Sequence, residues 1–370
     1  MESVIFLLFF GDKLLSLASN NNQTHDQRYI MTALDKPGAG PLVSVVMSVY
    51  NTERYVGDAV MSVLGQSYRN LEMICFNDAS TDSSLSILQS IAERDGRMRV
   101  INSPVNIRQG GGRNRAIKAS KGDYIMFLDS DDELKPYAVE RCVAAALAND
   151  SEAVFFDYCR FMTGSDKETE ICQLGKDAVS LRGDDLRRRI LERTASHVTA
   201  MYARSVIVDN DLFFPEGIHY EDNAVGLAMQ TIARNPVKLN EVFYRYRFDN
   251  ESVTRSVNNP RFFDRIESAE ILLEHTKILG LYDRFKDLVD YQFTNLYFVH
   301  TVFGAIYRFD RVQADQIRRV KRGIKTYLPS YRRNPYYRSQ PFLLKLKIES
   351  HVRWPHLIKF LSNVNRKLRK

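Results

Sequence analysis

The strongest constraint on the fold of this chain is a regular alternation of short apolar runs with segments of helical spacing between residues 42 and 156. Five runs of four to eight mostly apolar residues are predicted strands: 42–49, 71–76, 98–101, 124–128 and 153–156. Runs that are apolar at successive positions indicate strands buried on both faces. The segments between them are long enough for helices, as right-handed parallel crossovers require. The pattern predicts an α/β fold with a mostly parallel central sheet and helices on both faces.

The connecting segments contain the predicted helices and one glycine run. Helices are predicted over 83–94, 112–119 and 136–148, where apolar residues recur at helical spacing. The run from residue 110 to 112, Gly-Gly-Gly, is placed in a long loop between the third strand and the helix that follows it. Glycines in such a loop let the backbone approach a ligand, or simply relax a turn. Both interpretations stay open.

Charge is distributed unevenly along the chain. Residues 308–370 contain 18 Lys and Arg but 3 Asp and Glu, whereas the net charge of all 370 residues is only +7. Residues 341–370 interleave apolar with basic side chains and hold the single tryptophan, Trp354, a composition that suits an anionic membrane surface. The alternative is a solvated basic surface. Nucleic acid is not expected as a partner, because no recognised binding motif accompanies the charge.

Cysteine spacing and the N-terminus address the cellular compartment. The four cysteines lie far apart without a C-x-x-C pair, so no disulfide or zinc scaffold is expected. The apolar run 4–10 is short, follows Glu2 and has no cleavage site behind it, which argues against a signal peptide. No segment approaches the roughly 20 apolar residues of a membrane helix. We expect a cytoplasmic protein, peripheral on the inner face of the cell membrane if residues 341–370 bind it.

Polar side chains follow three of the predicted strands. Tyr50 and Asn51 follow the first strand, Asp78 follows the second, and residues 129–132 follow the fourth. Ligands of open parallel sheets bind beyond the carboxyl ends of the strands, so these residues are candidates for one site. The first crossover contains no G-x-G-x-x-G, and no G-x-x-x-x-G-K-[ST] phosphate loop occurs, so neither type of nucleotide motif is present.

The acidic stretch FLDSDDE after the fourth strand has two interpretations. Ser130 and Glu133 match a capping box at a helix N-terminus. Against this, Pro136 suits the first position of the helix, which would leave the acids in the loop before it. In an extended segment Asp129 and Asp131 point the same way, and carboxylates about 5 Å apart repel by roughly 3 kcal/mol. A divalent cation would remove that repulsion, and oxygen ligands favour Mg²⁺ or Mn²⁺ over zinc.

Four ordered motifs resemble a known family. PLVSVVMSVYN, FNDASTDSS, N-x-x-x-x-x-G-R-N and FLDSDDELKP are similar to the nucleotide-sugar half of family 2 glycosyltransferases of the GT-A fold. FFPEGIHYEDNAVGLAM and YRYRFDNESVT continue the resemblance. It implies a GT-A domain over 41–260, with a nucleotide-sugar half (41–150) and an acceptor half (151–260). Residues 1–40 are then an N-terminal extension, and residues 261–370 a helical, basic C-terminal region.

The resemblance also implies an activity and its partners. Family members transfer a sugar with inversion from a nucleotide-diphosphate donor, usually a UDP-sugar, assisted by Mn²⁺ or Mg²⁺. A glycan or lipid-linked acceptor in bacterial surface polysaccharide synthesis is expected. Nucleotide-sugar contacts are implied at Tyr50, Asn51, Glu53, Asp78, Arg113, Asn114 and Ser130. Asp78 typically receives the uracil.

The resemblance also implies residues that bind the metal, act as the general base and contact the diphosphate. The D-x-D pair of the family falls on Asp129 and Asp131, with Asp131 the expected direct metal ligand and Asp129 nearer the ribose. The Glu-Asp motif places the general base at Asp222, and a carboxylate there suits proton abstraction from the acceptor hydroxyl. Arg247 and Ser252 match positions that contact the diphosphate.

Three of these residues also have purely structural interpretations. Asp222 precedes a helix-like run and would serve equally as its N-cap. Arg247 is either a diphosphate ligand or a surface ion-pair residue. Arg113 is either a phosphate or nucleotide ligand near a helix start, or an ordinary first-turn arginine.

The chain departs from the family at several positions. Ser48 stands where family members usually carry Pro, and Ala79 and Arg108 stand where they usually carry Gly. Changes at the last two positions are expected to narrow the nucleotide loop or shift donor preference. The Q-x-x-R-W motif of processive synthases is absent, since Ser350 stands where its Gln belongs. This favours single addition over polymerisation.

Other functions and partners remain open from the sequence. A sugar-phosphate nucleotidyltransferase shares the sheet topology, but would carry a Gly-rich arginine loop after the first strand. A non-catalytic nucleotide-sugar-binding protein docked at the membrane is the third candidate. Residues that read the acceptor are expected between 157 and 225, with four unranked candidates: Tyr158, Arg160, His197 and Met201. An oligomer is allowed, because the helical run 262–309 is long enough to bury a partner.

Overall fold

The computed structural model describes residues 40–165, 167–248 and 256–368. The predicted N-terminal extension, apart from residue 40, therefore lies outside the described residues, as does the apolar run 4–10. Ser252, predicted to contact the diphosphate, also lies outside them.

In the described part of the chain, nine strands form one sheet with the order β3-β2-β1-β4-β8-β6-β9-β5, and β7 pairs with β6. The strands are β1 (Val43–Val49), β2 (Leu71–Asp78), β3 (Met98–Ser103), β4 (Tyr124–Phe127), β5 (Glu133–Leu134), β6 (Ala153–Phe161), β7 (Thr169–Ile171), β8 (Ala200–Ala203) and β9 (Val237–Arg247). β1 pairs in parallel with both β2 and β4, and β2 pairs in parallel with β3. The α/β fold predicted from the sequence is confirmed.

Helices surround the sheet and make up the C-terminal part. Those before residue 260 are α1 (Val56–Leu64), α2 (Ser84–Ala92), α3 (Arg108–Ala119), α4 (Ala138–Asn149), α5 (Gly183–Arg193), α6 (Arg204–Val208) and α7 (Glu221–Ile232). Those after it are α8 (Asp264–Ile278), α9 (Leu281–Phe293), α10 (His300–Tyr307), α11 (Ala314–Tyr327), α12 (Pro335–Ser339), α13 (Phe342–Arg353) and α14 (Pro355–Leu368). A π-helical segment, Thr294–Val299, joins α9 to α10.

A single buried cluster joins the sheet to the C-terminal helices. All seven residues of β1 are buried, which explains the unbroken apolar run that predicted it. The cluster continues through α8 to α10 and reaches Ile348 on α13. Phe262 and Phe309, at the ends of the run considered for burying a partner, are instead covered by this chain. No helix among the described residues is long and apolar enough to cross a membrane.

The glycine run lies inside a helix and not in a loop, so that prediction was wrong. Helix α3 begins at Arg108, and a Cβ added to Gly110 would lie 2.6 Å from the Pro215 carbonyl oxygen. A Cβ on Gly112 would lie 2.3 Å from Ser48 Oγ. The glycines therefore let α3 pack closely against β1 on one side and the segment before α7 on the other. The glycines lower the helix propensity of α3 but allow its backbone to approach the neighbouring segments closely.

Two departures from the family coincide with left-handed backbone. Ala79 has a φ of 58° and Arg108 a φ of 68°. Conformations with positive φ cost a residue with a Cβ about 1–2 kcal/mol relative to right-handed ones, but cost glycine almost nothing. The glycine that family members usually carry at these positions is thus the unstrained choice, and this chain retains the turns at an energetic cost.

Substitution Ala79→Gly is expected to raise the free energy of unfolding by about 0.5–1 kcal/mol, because it removes the strain but adds unfolded-state entropy. Urea unfolding monitored by circular dichroism measures this change. The matched control is Ala148→Gly, at an exposed alanine near the end of α4, which should lower the free energy of unfolding by up to about 1 kcal/mol. If both variants lose stability equally, the left-handed turn is not strained.

Candidate active site

The loops after β1 and β2 are joined at the carboxyl edge of the sheet. Asn51 has a left-handed φ of 52°, and its Oδ1 accepts a hydrogen bond from the Thr81 backbone N–H at 2.8 Å. Glu53 accepts one from the Ser83 N–H at 2.8 Å. Tyr50, 50% exposed, lies at the surface of this edge. These contacts make the predicted nucleotide-contacting loop an ordered surface and leave the tyrosine ring accessible.

Asp78 holds the start of α3 against β2. Its carboxylate accepts a hydrogen bond from the Ile107 backbone N–H at 2.7 Å, and its carbonyl accepts one from Asn106 at 3.1 Å. The residue is buried, and that burial raises the pKa of the carboxyl group, although hydrogen bonds from backbone N–H groups and the charge of Arg108 oppose the shift. Asp78 thus has a structural role at the candidate site, and its contact with a uracil stays a prediction.

The acidic stretch after β4 is a tight turn, which removes one argument made from the sequence. The Asp132 N–H donates to the Asp129 carbonyl at 3.1 Å, so these residues are not extended, and alternation of side chains does not apply. The capping interpretation is also wrong, because Glu133 lies in β5 and α4 begins only at Ala138. Ser130 is buried in the turn. Whether Asp129 and Asp131 share a metal stays a prediction that now rests on the turn alone.

Asp132 anchors the acidic turn to β9. It is buried and accepts hydrogen bonds from the Tyr244 hydroxyl at 2.6 Å and the Arg247 backbone N–H at 2.7 Å. Burial raises the pKa of Asp132 well above its usual value, and the neighbouring Asp131 and Asp129 raise it further. The two partners both lie on β9, so this strand, over 110 residues away in sequence, determines the position of the acidic turn.

Arg247 also holds the turn. Its guanidinium donates to the Asp131 carbonyl, to Glu133 Oε1 and to Thr163 Oγ1, each at 2.8 Å. The interpretation as a surface ion-pair residue is wrong, because the side chain is buried. The geometry gives Arg247 a positioning role in the acidic turn, and its contact with a diphosphate stays a prediction.

Arg113 joins the two acidic motifs. From α3 its guanidinium contacts Asp129 Oδ1 at 2.8 Å and Glu221 Oε1 at 2.5 Å, and its side chain is 4% exposed. Burial disfavours its charge, but Asp129, Glu221 and Asp222 outweigh burial and raise the pKa of Arg113 above its usual range. It is the sixth residue of α3, so the first-turn interpretation is wrong. A permanent cation therefore bridges the acidic turn and the start of α7.

Asn114 anchors the segment that leads into α7. Its Nδ2 donates to the Phe214 carbonyl at 2.7 Å, and its Oδ1 accepts from the Phe214 N–H at 2.9 Å. The Arg113 guanidinium lies over the Phe214 ring, 5.2 Å from its centroid. Both ends of the buried Asn114 amide are thus hydrogen-bonded to protein backbone, and its contact with the nucleotide sugar stays a prediction.

Asp222 is a partly accessible carboxylate beside this cation. It is the second residue of α7, whose N-cap is Tyr220 and which has no side-chain cap hydrogen bond, so the capping interpretation is wrong. Its side chain remains 41% exposed although protein atoms crowd around it. That crowding and the charge of Glu221 raise the pKa of Asp222 to about 6. A carboxylate with this pKa is suited to accept a proton near neutral pH.

Two side-chain contacts of the site were not predicted from the sequence. Gln109 donates to Asp129 Oδ1 at 3.0 Å, and Glu221 is the second partner of Arg113. Gln109 and Arg113 are four residues apart on α3, so they share one helix face. Because the glycines were predicted to lie in a loop, Gln109 and Arg113 were not predicted to share a helix face. The partnership with Glu221 left no signal in the spacing of the sequence.

The acidic turn has the donor chemistry for a hard divalent cation. Asp129 and Asp131 supply carboxylate oxygens, which Mg²⁺ and Mn²⁺ prefer. No group of three or more His, Cys, Asp or Glu side chains is arranged to hold a metal within the described residues. Two protein carboxylates would leave most coordination positions to water or phosphate, as is usual for Mg²⁺ sites.

Comparisons with known proteins find similar sequences for the part of the chain that contains this site. Residues 44–209 match the family described as Glycosyl transferase family 2. The uncharacterized glycosyltransferase YibD of Escherichia coli (strain K12) is 30% identical over 218 residues, which cover 58% of this chain and 63% of that protein. The putative glycosyltransferase EpsH of Bacillus subtilis (strain 168) is 29% identical over 229 residues, covering 60% and 65%. The chain spans 44 to 65% of the lengths of the first three curated relatives.

Solved structures show the same fold. TarS 1-349 of S. aureus superimposes with a TM-score of 0.60 at 19% identity, covering 84% of this chain and 89% of that chain. The crystal of the same protein in complex with UDP-GlcNAc gives a TM-score of 0.53 at 17% identity, covering 80% and 89%. At this identity the comparison concerns the fold alone, and it confirms the predicted GT-A architecture with additional C-terminal helices.

Proposed function

We infer that this chain, which belongs to glycosyltransferase family 2 through residues 44–209, transfers a sugar with inversion from a nucleotide-diphosphate sugar to a hydroxyl of a glycan or lipid-linked acceptor. Synthesis of a bacterial surface polysaccharide is the proposed setting. A UDP-sugar is the proposed donor, in line with the UDP-GlcNAc complex of TarS. The proposed location is the cytoplasmic face of the cell membrane.

The observation that carries the proposal is the bridge made by Arg113 between the acidic turn and the start of α7. One terminal nitrogen of this buried guanidinium contacts Asp129, a proposed donor-side residue, and the other contacts Glu221, which precedes Asp222. Inverting displacement requires the base and the leaving diphosphate on opposite faces of the anomeric carbon. A cation between two acidic groups fixes their separation, which supports this division of roles.

Asp222 is the proposed general base. The acceptor hydroxyl loses its proton to the Asp222 carboxylate as its oxygen forms a bond to the anomeric carbon, and the bond from that carbon to the diphosphate oxygen breaks. The raised pKa of Asp222, about 6, makes it a stronger base than an ordinary aspartate. Its exposed carboxylate leaves the acceptor free to approach.

The acidic turn is the proposed metal-binding element. Asp131, with Asp129 beside it, would hold Mn²⁺ or Mg²⁺, and the ion when bound would neutralise charge on the departing diphosphate. The chain's own contribution is to hold the turn rigidly, through Asp132, Tyr244 and Arg247. Preorganised groups cost no rearrangement at the moment of reaction.

The proposal is tested by incubating purified protein with a panel of nucleotide sugars, Mn²⁺ and candidate acceptors. Release of a nucleoside diphosphate with transfer of the sugar is expected, and NMR of the product should show an inverted anomeric linkage. Conversion of the nucleotide sugar and added pyrophosphate into a nucleoside triphosphate and a sugar 1-phosphate would instead identify a sugar-phosphate nucleotidyltransferase. Tight donor binding without turnover on any acceptor would favour the non-catalytic binding protein.

A second part of the proposal concerns helices α13 and α14, which expose several large apolar side chains. The most exposed are Phe342, Leu343, Leu346, Trp354, Leu357, Phe360 and Leu361, which we call the docking face. A cavity of about 530 Å³ lies beside it, with Lys321, Lys325 and Arg353 among its lining residues. Within the described residues, no carboxylate forms an ion pair with these three cations. Apolar residues beside unpaired cations are suited to an anionic membrane surface.

Serine substitutions at Phe342, Leu343 and Phe360 are expected to weaken cosedimentation with phosphatidylglycerol vesicles at least 10-fold, because each buried apolar side chain contributes about 1.5–3 kcal/mol. These side chains are 62 to 75% exposed, so the fold should be retained. The control is Ile278→Ser, equally exposed at the end of α8. Equal binding of all variants, or equal binding to neutral phosphatidylcholine vesicles, would contradict membrane docking through this face.

A further inference from the structure

His197 is a buried imidazole without a hydrogen-bond partner. It begins a short 3₁₀ turn, His197–Thr199, and is 5% exposed. Neither of its ring nitrogens forms a hydrogen bond within the described part of the chain. Burying a polar group without a partner costs about 1–3 kcal/mol. Such an unsatisfied group in a well-packed region calls for a functional explanation.

The imidazole is held rigidly beside the proposed base. Its ring packs edge-on against Phe127 at 5.3 Å and Phe214 at 5.5 Å between centroids. Nδ1 lies 3.9 Å from Asp222 Oδ2, beyond hydrogen-bond length. The two rings fix the imidazole, whereas the Asp222 side chain is 41% exposed and its Oδ1 accepts one long hydrogen bond, from Asn223 Nδ2 at 3.3 Å, so Asp222 is the member of the pair that can shift.

We propose that His197 is a positioning residue for Asp222: its Nδ1–H donates a hydrogen bond to Oδ2 when the acceptor binds, and this bond directs the other carboxylate oxygen to the acceptor hydroxyl. The inference rests on the proposed function of Asp222. Closing the gap needs a shift of about 1 Å to reach hydrogen-bond length. The hydrogen bond provides the partner that the buried nitrogen lacks.

The charges around the pair favour a neutral donor. Burial lowers the pKa of His197 well below its usual value, and the nearby Arg113 cation lowers it further. The other charges that act on Asp222 are Glu221 beside it, Asp129 at the acidic turn and Arg265 on α8. Protonation of the imidazole next to Arg113 is therefore unfavourable, and His197 acts as a hydrogen-bond donor without carrying a charge.

Three substitutions separate positioning from packing. Asparagine reproduces the geometry of Nδ1, glutamine reproduces that of Nε2, and phenylalanine retains ring volume without a donor. His197→Asn should keep kcat within about 3-fold, whereas His197→Gln and His197→Phe should lower kcat on the order of 10-fold with an unchanged donor KM. Loss of the Nδ1–H group should also raise the pKa of Asp222 and so move the acidic limb of the pH profile of kcat to higher pH, since a hydrogen bond to the carboxylate stabilises its charged form. His351→Asn, a substitution at another buried imidazole that lies on α13, is the control and should change neither.

NMR of ¹⁵N-histidine-labelled protein provides a readout that needs no activity. The His197 signals, assigned by their loss in His197→Asn, should show the neutral Nδ1–H tautomer at pH 7 and should shift in Asp222→Asn. A protonated imidazole, an Nε2–H tautomer, or equal kcat in all three variants would overturn the inference. If the wild-type protein transfers no sugar, the proposed function fails. The NMR measurement of the tautomer still decides whether the Nδ1–H group of His197 points at Asp222.

Discussion

Replacement of Asp222 by asparagine is expected to lower kcat by about 10² to 10⁴-fold, the usual contribution of a general base. The amide has nearly the same shape as the carboxylate but cannot take the proton of the acceptor hydroxyl. Donor binding should be unchanged, because Arg113, Asp129 and the loops at Asn51 and Asp78 do not depend on Asp222 for their hydrogen bonds. Single-turnover kinetics and calorimetric titration with the donor measure the two quantities separately.

The wild-type pH profile should show the same group. Burial and Glu221 raise the pKa of Asp222 to about 6, so kcat should fall roughly tenfold per unit as the pH drops below 6 and level off above it. Asp185→Asn is the matched control, because Asp185 also lies in the first turn of a helix but is exposed, and α5 contacts the opposite, C-terminal end of α7 through Arg187. An Asp222→Asn variant that retains more than about a tenth of wild-type kcat would exclude a proton-transfer role for this residue.

The parts of the fold that were predicted from sequence are those dictated by local pattern. All seven residues of β1 are buried, so its apolar run is unbroken, and the same holds for most of β2. The polar residues that follow β1, β2 and β4 do meet at one edge, because these strands are parallel neighbours. Side-chain periodicity and the chirality of crossovers are sufficient for inferences of this kind.

Other features depend on contacts distant in sequence and could not be predicted. Tyr244 and Arg247 on β9 hold the acidic turn through hydrogen bonds to Asp132. Asp129 and Asp131 therefore lie in a turn and not in the extended segment that was predicted. Helix α3 begins at Arg108, four residues earlier than predicted. Its glycines reflect packing and not a loop, because a Cβ at position 112 would lie 2.3 Å from Ser48 Oγ. In both cases tertiary packing overrides a local rule, as it commonly does for helix boundaries.

The second large effect is expected on stability. Arg113→Met should lower the free energy of unfolding by about 3–5 kcal/mol, because removing one member of a buried ion-pair network leaves uncompensated charge. Glu221, 8% exposed, and Asp129, 28% exposed, would face each other without the cation between them. Arg115→Met is the control, since Arg115 and Glu216 form a pair in which each side chain is 44% exposed. That variant should cost less than about 1 kcal/mol.

A double-mutant cycle distinguishes loss of charge compensation from loss of packing. Methionine retains most of the volume of the arginine stem, so the cost of Arg113→Met should come mainly from the stranded carboxylates. Combining it with Glu221→Gln removes one of those charges, and the pair should show a coupling of about 1–3 kcal/mol, with the double variant more stable than the sum of the single losses predicts. Urea unfolding of the four proteins at pH 7 provides the values. Strict additivity would mean that Arg113 stabilises the site through its contact with the Phe214 ring, and the two acidic motifs would then not be coupled through its charge.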